Sequence, residues 1–152
     1  MIVDSAGDGP DVIPGAPCAA ASGSCTLRAA LEVTNEAPGS DRVEFDDAVF
    51  DGPDAEPIEL QAPLPVIARP VTVRDECPPN QFNDIPQRPC VGIDAEGGRA
   101  FVVEADEVAI EGVSVTDAST AVDVEGSADE FVARQDWFGL DLAGQAVSNL
   151  VG

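Results

Sequence analysis

The four cysteines carry the plainest chemistry in this sequence, and they fall into two local pairs, Cys18 with Cys25 and Cys77 with Cys90. Sequence alone leaves their connectivity open. A zinc site usually needs closer spacing, such as C-x₂-C, and commonly histidine. Here the spacings are wide and histidine is absent. Each local loop contains Pro or Gly and can close, so two local disulfides are expected. Such bonds persist in oxidising compartments and point to an exported protein at the cell surface or outside the cell.

Two other groups could do chemistry. The N-terminal stretch DSAGDGPD sets Asp4, Asp8 and Asp11 in a Gly-containing loop able to wrap Ca²⁺, although the spacing is not that of an EF-hand. Its plainer reading is a hydrophilic loop. Near the other end, Arg134 stands beside Asp136 and Trp137. An exposed Trp can stack on a sugar face, and a uronate lyase needs charge neutralisation and a base, for which arginine is the one cationic residue type present. The plainer reading has Trp137 packed in the fold and Arg134 paired with an acid.

Other sites are missing. Without histidine there is no Ser-His-Asp triad. No Gly-rich phosphate loop with lysine is present. The 29 acidic residues make a glycosidase-like carboxylate pair unavoidable and therefore uninformative. The net charge of −22 repels phosphate backbones and anionic lipid, which argues against nucleic-acid and membrane partners. No apolar run is long enough to span a bilayer. Met1 is followed at once by IVDSAGDGPD, with no secretory leader. The expectation is a leader already removed, or else a cytoplasmic protein.

The elements that must position these residues follow from periodicity. Residues 1–24 read as a leading loop with one short strand at Ile2-Val3. A helix is expected at about 26–37: Thr26 suits an N-cap, Leu27, Ala30, Leu31 and Thr34 share one face, and Pro38-Gly39 stops it. Arg28, Glu32 and Asn35 point elsewhere. From 41 to 152 the period changes to short alternating runs, such as RVEF, PIEL and VTV, joined by turn residues. Segment 76–90 is a Pro-rich insertion stapled by its cysteines. At an offset of 23, Asp106, Glu107, Val108 and Val115 meet Asp129, Glu130, Phe131 and Phe138, and Val124 meets Val147. A repeat of that length predicts stacked rungs of a parallel β-helix. A β-sandwich is the competing architecture.

The stretch CTLRAALEVTNEAPGSDRVEF resembles the CSLREAI-type motif near the start of exported right-handed parallel β-helix proteins of pectin-lyase-like fold. Cys25, Leu27, Arg28, Ala30, Asn35, Pro38, Gly39, Asp41 and Phe45 match it, with Thr26 for Ser and Leu31 for Ile. LQAPLPVIARPVTV is similar to a following rung and DWFGLDLAG to an Asn-x-Ile-Gly-x-Asp-x-x-Gly turn. Ala29 replaces the motif's Glu, which leaves only the Thr26 half of a capping box, and Asp136 replaces the turn's Asn.

The resemblance implies a single all-β domain over 1–152, a right-handed parallel β-helix whose N-terminal helix caps the first rung. GQAVSNLVG ends without a polar cap, so the expectation is a chain that continues, or a second copy covering that end. The expected role is a structural or adhesin-type surface module that self-associates end to end, with no cofactor unless Ca²⁺ binds. The alternative is a piece of a polysaccharide lyase or glycoside hydrolase with a glycan partner. The usual polygalacturonase motifs are missing and the stack is short, which weighs against an enzyme.

Overall fold

The computed structural model describes every residue except 15, 16, 53, 76, 78–87, 127 and 150–152. Strand β1 (Ile2–Val3) leads to helix α1 (Leu27–Glu36). Then follow β2 (Asp41–Phe45), β3 (Ile58–Glu59), β4 (Val71–Arg74), β5 (Val91–Asp94) and β6 (Arg99–Val103). The last five are β7 (Ala109–Glu111), β8 (Val113–Thr116), β9 (Thr120–Val124), β10 (Val132–Arg134) and β11 (Trp137–Phe138). Among the described residues the protein is therefore β-rich with one short helix.

The strands lie in three sheets, ordered β1-β2-β4-β7-β10, β11-β8-β5-β3 and β6-β9. Every pairing between named strands is parallel, which is not the arrangement of an antiparallel sandwich. The chain visits the sheets in rotation, as in β4, β5, β6 and then β7, β8, β9. Ile67 extends the third sheet by a parallel bridge to Val103.

The repeat read from the sequence is the physical register. Ala109 pairs with Val132 and Ser114 with Trp137, both at the offset of 23. The matched acids touch as well: the Asp129 amide donates to the Asp106 carboxylate at 2.7 Å.

Alternation turns one side of each strand into a shared core. Val43, Val73 and Ile110 stack in the first sheet, Ile58, Ile93 and Val115 in the second, and Ile67 and Val103 in the third. All eight are at most 1% exposed. Phe45 and Phe50 meet edge to face at 5.2 Å inside this core. Each row then runs out. Phe138 continues the second row and Val124 the third, and these are 46% and 45% exposed.

Two details depart from the sequence reading. The run EVAIEGVSV makes two strands, because Gly112 turns the chain between sheets with φ +78. A Cβ there would stand 2.6 Å from the Asp75 carbonyl oxygen, so only glycine fits. The expected match of Val124 with Val147 does not form a pair. The Asp141 carboxylate accepts from the amides of Ala143 and Gln145 and, with Gly144 at φ +76, makes a tight turn. That turn sends the chain back, Leu140 bridges Ala146 in antiparallel fashion, and the Val147 amide donates to Gly139. Leu142 is thereby buried against Gly92 on β5.

Candidate functional site

The most highly organised polar constellation surrounds α1. Thr26 is the N-cap, its hydroxyl oxygen accepting from the Ala29 amide at 3.1 Å. Leu27, Ala30, Leu31 and Thr34 are buried, as the spacing predicts. Ala29 is buried too, so the glutamate of a complete capping box would have to lie inside the protein. The helix packs against β1 and β2, at the outer edge of the first sheet.

Arg28 and Asn35 tie this helix to segments far away in sequence. The Arg28 guanidinium donates through Nε and Nη2 to both oxygens of Asp8, at 3.0 and 2.8 Å. It also donates to the carbonyls of Pro63 and Ala62, at 2.8 and 2.6 Å. A planar fork suits this role, whereas a lysine would be a point charge. Asn35 donates to the Val66 carbonyl at 2.8 Å and accepts from the Ala68 amide at 2.9 Å. The segment holding Ile67 is therefore clamped between the helix and the third sheet. The resemblance marks Arg28 and Asn35; their partners have no local sequence signal.

Asp4, Asp8 and Asp11 do not converge. The Asp4 carboxylate accepts from the Cys25 amide at 2.7 Å, Asp8 from Arg28 and the Gln61 amide, and Asp11 from the Ala19 amide at 3.0 Å. Asp4 and Asp8 help wall an open groove of about 1130 Å³ with Glu56, Glu59 and Glu96; Asp11 is not part of it. Asp4 and Asp8 thus hold the leading loop to its neighbours, while the Asp11 carboxylate closes the loop on itself.

Arg134 and Trp137 are not joined either. Arg134 ends β10 in the first sheet and Trp137 begins β11 in the second, because the chain turns at Gln135, whose φ is +59. The cation over the Trp137 ring is Arg88, at 5.6 Å from the centroid. Gly144 lies near the same ring: a Cβ added there would stand 3.9 Å from Cζ3. Arg88 is 49 positions upstream in the Pro-rich segment, too distant for any spacing rule to pair it with Trp137.

Asp136 occupies the corner itself. Its Oδ1 accepts from the Val113 amide at 3.0 Å, while Oδ2 is buried without a hydrogen-bond partner. Burial pushes this carboxyl up from 3.8 to about 6, against the lowering effect of the Val113, Arg134 and Gly112 amides, and the nearby Glu111 adds to the rise.

Both disulfides form as expected, Cys18 to Cys25 and Cys77 to Cys90. Most of the Pro-rich insertion between the second pair lies outside the described residues. Beside that pair stands Asp75, which sequence reading overlooked. It is buried, and its carboxylate accepts from the Cys90 amide at 3.0 Å. No helix among the described residues is long and apolar enough to cross a membrane.

Compared with protein families, curated proteins and solved structures, the chain matches none of them.

Proposed function

We propose that the protein is a structural module of an exported right-handed parallel β-helix, of the surface or adhesin type, that associates with a second copy through the face carrying Phe138 and Val124. The observation that carries this reading is the asymmetry of the core rows. At one end α1 lies over β1 and β2 with Leu27 and Leu31 fully buried. At the other end the rows stop at Phe138 and Val124, each nearly half exposed, beside the outermost strands β9, β10 and β11. Exposed strand edges with apolar side chains favour pairing with another chain. Rotation of the chain through three parallel sheets supports the coil, and parallel crossovers are right-handed in nearly all proteins. Among the described residues α1 lies over the first end, so the proposed contact between copies joins the faces that carry Phe138 and Val124, the same face on each. The two disulfides support an oxidising, extracellular setting. Without a joint Arg134–Trp137 surface, the glycan-active alternative has less support.

Light scattering or sedimentation over a range of concentrations tests this. The wild type is expected to form dimers, and Phe138→Glu with Val124→Glu to remain monomeric with unchanged circular dichroism. A wild type that stays monomeric at high concentration, or charged variants that associate equally well, would remove the self-association reading.

A further inference from the structure

We propose that Asp75, Cys77 and Cys90 form a binding site for a borderline-soft divalent cation of the zinc class once the Cys77–Cys90 bond is reduced. One ligand atom from each of the three residues lies within 4.8 Å of the others, the only such group of His, Cys, Asp or Glu among the described residues. Around a tetrahedral ion, with bonds of about 2.0 Å to oxygen and about 2.3 Å to sulfur, ligand atoms sit about 3.5 Å apart. The carboxylate is therefore close to its place, and the two sulfurs have to separate.

Asp75 is held there before any ion arrives. Its carboxylate accepts from the Cys90 amide, its own amide donates to the Glu111 carbonyl at 2.9 Å, and its carbonyl lies close under Gly112. Cys90 is fully buried and Cys77 is half-buried. The other disulfide differs. The sulfurs of Cys18 and Cys25 lie 3.9 and 3.8 Å from the Thr26 carbonyl, and among the described residues no carboxylate completes a three-ligand group there.

The chemistry balances. A phosphine or dithiol supplies two electrons to the S–S bond, and the two sulfurs take up two protons. Binding a divalent ion releases those protons, so two thiolates and one carboxylate surround a doubly charged cation. The Pro-rich insertion is then stapled either by a disulfide or by a metal, according to redox poise.

The full chain, reduced with a phosphine under anaerobic conditions, is titrated with Cd²⁺. Binding is followed by sulfur-to-metal charge-transfer absorbance and by protection of each thiol from alkylation, read by mass spectrometry. One ion per chain is expected in the reduced protein and none in the oxidised protein. Cys18→Ser with Cys25→Ser should leave binding intact, and Zn²⁺ should compete. Asp75→Asn should weaken binding about tenfold or more. Equal alkylation of Cys77 and Cys90 with and without Cd²⁺ would overturn the site, and undiminished affinity in Asp75→Asn would overturn the role of the carboxylate. If circular dichroism shows that Asp75→Asn perturbs the fold, Asp75→Glu decides: measurable binding supports the carboxylate ligand, and its loss refutes it.

Discussion

Replacing Arg28 by alanine isolates the interaction that fastens α1 to the rest of the molecule. The Arg28 side chain is 12% exposed and that of its partner Asp8 only 1%. Removing the arginine leaves a buried carboxylate with the Gln61 amide, at 2.8 Å, as its remaining donor. Breaking a buried ion pair from one side costs about 3–5 kcal/mol. The carbonyls of Ala62 and Pro63 lose a donor as well, but water can replace it and their share is smaller. Against a total stability of about 5–15 kcal/mol, this is a large fraction. At about 2–4 °C per kcal/mol for a chain of this size, the melting temperature should fall by about 6–20 °C. Urea unfolding, followed both by far-ultraviolet circular dichroism and by the fluorescence of Trp137, the single tryptophan, measures the loss. Trp137 lies in the outermost strand of the second sheet, far along the chain from the helix, so the two signals distinguish global unfolding from detachment of α1 alone. A double-mutant cycle with Asp8→Ala completes the test. The double variant should be less destabilised than the sum of the singles by about 2 kcal/mol. A loss below about 1 kcal/mol for Arg28→Ala, or strict additivity in the cycle, would refute the clamp.

Further expectations concern the corners. The Asp136 carboxyl titrates at about 6 in the folded protein and at 3.8 when free. The folded state therefore binds the proton more tightly, and stability is lost as pH rises between these values and stays lost above them. A shift of this size is worth about 3 kcal/mol at full burial; partial exposure reduces it to about 1.5 kcal/mol. Asp136→Asn should accordingly stabilise the protein by about 1–1.5 kcal/mol at pH 7, with the gain gone near pH 4. A gain in urea unfolding that did not vary over that pH range would contradict the assignment. Gly112→Ala combines a left-handed backbone with a 2.6 Å approach to the Asp75 carbonyl, and should cost about 2–4 kcal/mol. A neutral result in thermal melting would mean the corner can relax.

The sequence by itself determined what depends on local preference and period. Thr26, the spacing of Leu27, Ala30, Leu31 and Thr34, and Pro38-Gly39 specify α1 to within a residue of its observed ends. Alternation at Val43 and Phe45, or Val71 and Val73, specifies strands and their buried side. The offset of 23 specifies the register of β7 on β10 and of β8 on β11, because stacked copies of one motif place like residues over like. Tertiary structure alone decided the partners. Asp8 faces Arg28 across 20 positions, Asn35 meets Val66 and Ala68, and Arg88 rather than Arg134 covers Trp137. It also decided that Val147 turns away from Val124, since the Asp141 turn competes locally with continued stacking. The physical reason is one of range. Propensity, capping and alternation act over a few residues and can be read along the chain, whereas hydrogen-bond partners and burial are set by which segments the sheets bring side by side.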